Sequence, residues 1–109
     1  MARHVVEADE VVVPDHFHLE GAAALRRLEI HGEVDADEVQ GAFQRFLALR
    51  VRRVDTRPLV EEAWAMRRNV TVADALYVVL ARRLGVPLVS GDVRLGRAPG
   101  LGIQVLLPT

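Results

Sequence analysis

Residues 69–92, NVTVADALYVVLARRLGVPLVSGD, decide the architecture of this 109-residue chain. They read as a helix, a tight turn and a buried strand, with one acid at each end. Thr71 is placed to cap the helix and Asp74 falls at the third helical position, close to a capping box. Leu76, Val79, Leu80, Arg83 and Leu84 follow at helical spacing, and Gly85 stands where a left-handed C-terminal cap belongs. Pro87 keeps the helix from restarting, so Leu88, Val89 and Ser90 form a short apolar strand that ends at Gly91 and Asp92. Sheets of the β-α-β kind carry their chemistry just beyond the carboxyl ends of their strands, which is where Asp92 would lie.

Working outward, residues 10–13 (EVVV) predict a strand closed by Pro14, and Asp15 is expected to cap a helix over residues 17–31. Leu19, Ala23, Ala24, Leu25, Leu28 and Ile30 give that helix a broad apolar face, and Gly32 ends it. Asp35 is expected to cap a second helix with Ala36, Val39, Phe43, Phe46 and Leu47 on its buried side. Residues 50–54 (RVRRV) fit an edge strand, where charge discourages pairing with other sheets. Pro58 suits the first turn of a helix running through Trp64 to Arg68. After Asp92 the pattern predicts a helical turn at residues 94–97, a turn at Pro99-Gly100 and a last strand over residues 103–107. Residues 1–9 have no initiating cap and read as the tail of a helix. Helices separated by short strands imply an α/β fold with a mainly parallel sheet and helices on its faces, here as one domain.

Composition narrows the function. Half the residues are apolar and the net charge is −1, so neither disorder nor a bulk electrostatic pull toward nucleic acid or membrane is expected. All 14 basic residues other than histidine are arginine, and there is no cysteine, which removes disulfides, thiolate metal sites and thiol nucleophiles. Without a signal-peptide pattern or a membrane-length apolar run, a soluble cytoplasmic protein is expected. There is no P-loop, no dinucleotide-binding glycine pattern and no G-x-S-x-G elbow.

Three acids stand out by context: Glu20 among apolar neighbours on the first long helix, Asp74 at the helix start, and Asp92 after the buried strand. Parallel strand ends and a helix N-terminus converge on one cleft, and carboxylates gathered there repel one another unless a cation neutralises them. Mg²⁺ or Mn²⁺ suits that donor set, because hard ions take oxygen ligands and keep several waters. Each acid also has a structural reading: Asp74 as a helix-start residue, Glu20 as a solvated helix acid, Asp92 as a turn residue. His16 and His18, two residues apart on a helix, face different ways and make a poor metal pair. Trp64, Phe43, Phe46 and Tyr77 are expected in the core, with stacking of one of them on a base as the alternative. Arg67-Arg68 and Arg82-Arg83 are expected on solvated helix faces, with RNA phosphate contact as the alternative.

The segment RRNVTVADALYVVLARRLGVPLVSGDVRL resembles the C-terminal half of PIN-domain ribonucleases, specifically the VapC-like toxins of bacterial toxin–antitoxin pairs. Their pattern is T-x-x-D-A-x-Y, a helix, a strand and Ser/Thr-x-Asp. Upstream, VVVPDHFHLEGAAALRRL is similar to that family's strand, proline and helix with an embedded glutamate. The resemblance implies that Glu20, Asp74 and Asp92 are metal-binding acids and that Thr71 supplies a supporting hydroxyl. It further implies Mg²⁺- or Mn²⁺-dependent cleavage of RNA such as tRNA, a homodimer, and inhibition by a cognate antitoxin. The chain departs from the pattern at its start: the family's first strand, with its aspartate, and the following helix have no counterpart, so the fold is expected to be N-terminally truncated. That strand would lie mid-sheet beside residues 10–13 and 88–90, and its loss predicts a degenerate copy, a misplaced start, or another segment in the gap. A non-catalytic, truncated binding or dimerisation module is therefore the alternative function.

Overall fold

Strands β1 (Arg3–Glu7), β2 (Glu10–Pro14), β3 (Arg52–Val54), β4 (Leu88–Ser90) and β5 (Val105–Leu106) form one sheet in the order β3-β2-β1-β4-β5. The computed structural model describes residues 3–7, 10–90 and 105–106, with side chains over residues 11–88. The turns expected at residues 94–97 and 99–100 lie outside the described residues, and of the last expected strand only Val105–Leu106 falls within them.

Residues 3–7 correct the expectation of a helical tail. β1 is a central strand, antiparallel to both neighbours, pairing Val5 with Val12 on one side and with Leu88 on the other. β2 and β4 thereby run in the same direction, and each has a parallel partner at the sheet's edge, β3 and β5 respectively. The physical reason for β1 is backbone pairing: with nothing between them, β2 and β4 would each leave a row of N–H and C=O groups unsatisfied. The β-branched pair Val5-Val6 suits that slot. On the other side of the sheet β3 is the edge strand anticipated from its arginines.

α4 (Val72–Leu84) lies against β1, β2 and β4. Thr71 Oγ1 accepts the Asp74 N–H at 3.1 Å, and Gly85, at φ 68°, closes the helix in the left-handed region that glycine adopts without penalty. Residues Ala75 to Ala81 are all buried, so the helix is covered on every side rather than along a single stripe. Arg83 does not extend the buried face. Its guanidinium binds Glu62 at 2.8 Å and the Pro58 carbonyl at 3.1 Å, tying α4 to a 3-10 turn (Arg57–Leu59) and to α3 (Val60–Ala65). α3 ends three residues short of the Arg68 expected, in a turn held by Asn69 N–H and Val70 N–H donating to the Met66 carbonyl.

α1 (Phe17–Ile30) and α2 (Ala36–Leu47) form a separate helical hairpin over His16–Arg50. Phe46 seats its ring against Phe17 and His18, at centroid distances of 5.2 and 5.3 Å. Gly21 makes room for it, because a Cβ at that position would overlap the ring. Three details differ from the sequence reading. Asp15 does not cap α1; its N–H instead extends the β3 edge by donating to the Val54 carbonyl, and His16 occupies the cap position. Leu19 is 73% exposed and Leu47 50% exposed, so helical spacing overstated the apolar faces of the hairpin. Ala36 is also exposed, while Val39 is buried and Phe43 and Phe46 are half-buried.

Asp35 caps α2 as expected, its Oδ1 accepting the Glu38 N–H at 2.9 Å. That bond lowers its pKa below the usual carboxylate range, and desolvation opposes it more weakly. A depressed folded-state pKa stabilises above the unfolded-state value and is lost as pH falls through the folded one. The cap's contribution should therefore be full above about pH 4, the ordinary aspartate range, and fade below it. Asp35→Asn, which keeps a capping oxygen, should remove this part of the acid dependence of helicity, read by circular dichroism; an unchanged acid profile would assign the dependence to other carboxylates.

Candidate active site

Because β2 and β4 point the same way, their carboxyl ends share one edge of the sheet. α4 enters β4 through residues 85–87 only, so it runs back along the sheet and its N-terminus lies toward that same edge. Asp74 sits there, in the first helical turn, half-buried, with its N–H committed to Thr71. Thr71 itself is exposed; its hydroxyl oxygen serves as the cap, which is the structural role weighed for it.

Glu20 occupies the first turn of α1, in the hairpin, soon after the carboxyl end of β2 in the chain. Its Oε1 lies 3.2 Å from His16 Nε2, one helical turn back, and both side chains keep part of their surface in solvent. His16 is thus a neighbour of Glu20 rather than half of a pair with His18, whose ring belongs to the Phe17–Phe46 cluster. Glu20 and Asp74 are held in separate units, the hairpin and the sheet. The third expected acid, Asp92, lies outside the described residues. Among the described residues, no three histidine or acidic side chains gather to hold an ion. The donor chemistry of Glu20 and Asp74, carboxylate oxygens only, fits a hard divalent cation such as Mg²⁺ or Mn²⁺ and would suit a soft one poorly.

Two features of this edge escaped the sequence reading. The reversal of β1 brings its beginning, not its end, to the carboxyl edge, with Arg3 paired to Ser90. Trp64, expected in the core, is 57% exposed on α3. Val60 and Glu61 precede it, and Arg67 and Arg68 follow it, at spacings of three and four, and that mixed company was the available signal in the sequence. Tyr77, by contrast, is 2% exposed and fully within the core.

The PIN domain profile matches residues 2–101. The chain is 40% identical over 95 residues to the ribonuclease VapC1 of Mycobacterium tuberculosis, covering 86% of this chain and 71% of that protein. It is 34% identical over 102 residues to the ribonuclease VapC12 of the same organism, covering 94% and 79% respectively. With the VapC ribonuclease Mb0985 of Mycobacterium bovis it shares 36% identity over 94 residues, covering 86% and 74%. No solved structure matches the chain at comparable significance. No helix among the described residues is long and apolar enough to cross a membrane.

Proposed function

The chain belongs to the PIN-domain family, in its VapC-like branch, and on that premise we propose that it is a metal-dependent endoribonuclease toxin. The observation that carries the reading is its 40% identity, over most of both chains, to a protein named a VapC ribonuclease. Glu20, Asp74 and Asp92 hold Mg²⁺ or Mn²⁺ through carboxylate oxygens, and Thr71 fixes the turn that presents Asp74. When bound, the ion supplies a more acidic water and stabilises charge developing on a phosphodiester. The residues' own task is to gather oxygen donors and orient the RNA strand across the sheet's carboxyl edge. The substrate is a structured RNA such as tRNA, the working form a cytoplasmic homodimer, and a cognate antitoxin silences it.

One observation favours a second reading. The central strand reaches the carboxyl edge at Arg3, paired with Ser90, so that strand end brings no carboxylate to the edge. The chain would then act as a non-catalytic binding or dimerisation module. Incubating it with a mixed tRNA pool in the presence of Mn²⁺, and again with a chelator, separates the two. Discrete fragments that need Mn²⁺ support the nuclease; intact RNA in both, from a folded chain, supports the module.

A further inference from the structure

We propose that Trp64 and Arg67 form a stacking platform for a base of the RNA strand, positioned beside the turn that presents Asp74. The proposal rests on the nuclease reading and names how that site engages its substrate. Trp64 stands on a rigid base, because Ala63 before it and Met66, the residue that caps α3, are 0% and 6% exposed. Its own residue surface remains 57% exposed. The Arg67 guanidinium carbon lies 4.6 Å from the ring centroid, over the indole, and Nη1 donates to the Trp64 carbonyl at 3.1 Å. That hydrogen bond fixes the guanidinium plane, so the stack is assembled before any ligand arrives.

The platform is also fixed relative to the candidate site. Arg67 N–H donates to the Trp64 carbonyl, Asn69 and Val70 N–H donate to the Met66 carbonyl, and Thr71 then caps α4 through the Asp74 N–H. A run of short hydrogen-bonded turns thus leads from Trp64 to Asp74. Its exposed charges are Arg67 and Arg68, while Glu61 stands on the far side of Trp64 and Glu62 is engaged by Arg83. An exposed indole with arginines on the side of the metal-binding acid matches a single-stranded polyanion, whose bases stack and whose phosphates take guanidinium contacts. A purely apolar protein partner would leave the two arginines desolvated without a counter-charge.

The chain has a single tryptophan, so its fluorescence reports Trp64 alone. The test titrates a 5′-labelled single-stranded RNA oligonucleotide into the Asp74→Asn chain, which leaves the RNA uncut, reading label anisotropy and tryptophan emission together. Emission should be quenched with the same midpoint as the anisotropy change. Adding Trp64→Ala should weaken binding about ten-fold or more, and Arg67→Ala should weaken it less. Trp64→Phe should recover part of the affinity, and melting should stay unchanged because the side chain is exposed. RNA binding with unaltered emission, and equal affinity for Trp64→Ala, would overturn the platform and leave the nuclease reading standing. No anisotropy change at all would overturn the RNA reading and the platform with it. Emission that varies with protein concentration but not with RNA would place a second copy on the indole and refute the proposal.

Discussion

Val5→Pro is expected to destabilise the sheet by about 3 kcal/mol or more, enough to unfold a large fraction of a small domain at room temperature. Val5 pairs with Val12 and with Leu88, so its backbone lies between two neighbours and has no solvent edge. Proline removes a donor from that ladder and is tolerated in sheets only at edges, first residues and bulges. Urea unfolding of the full chain reads the effect as a lower midpoint with an unchanged slope. A midpoint equal to that of the unsubstituted chain would show that residues 3–7 do not hold the centre of the sheet.

Asp74→Asn should reduce Mn²⁺-dependent RNA cleavage by about 100-fold or more, because an ion worth several kcal/mol of transition-state stabilisation loses a charged ligand. Stability should change little. The substitution leaves in place the backbone N–H that Thr71 accepts, and the lost charge at the helix N-terminus is worth about 0.3–1 kcal/mol. Cleavage assays run beside thermal melts separate the two effects. Loss of activity in step with loss of folding would return Asp74 to a helix-start role.

The elements that sequence made legible are those fixed by local chemistry. α4 was bounded by Thr71 and Gly85, whose roles depend on neighbours three or four residues away, and both act as read. Asp35, Gly32 and the charged edge strand β3 were legible for the same reason. β1 was not, because residues 3–7 offer neither alternation nor a turn signal, and their strand character comes from pairing with β2 and with the distant β4. Exposure was also hard to read. Leu19 and Leu47 sit at apolar helical positions yet remain largely in solvent, and Trp64 is decided by packing that no spacing rule encodes.

The site followed the same division. That Asp74 opens a helix at the sheet's carboxyl edge follows from caps and connection length, and the family pattern supplied its chemical meaning. Whether Glu20 serves the same ion depends on how two separately built units come together, which residue spacing does not specify. That the central strand runs antiparallel to both neighbours, with Arg3 paired to Ser90, is likewise a consequence of topology rather than of any motif.

The decisive measurement is a Mn²⁺ titration by electron paramagnetic resonance on the unsubstituted chain, Glu20→Gln, Asp74→Asn and the double variant. If the two carboxylates hold one ion, each single change should weaken the same binding event, and the double variant should lose less than the sum of the two. Mn²⁺ binding that neither substitution alters, in chains that remain folded, would contradict a carboxylate-held ion and leave the acids structural.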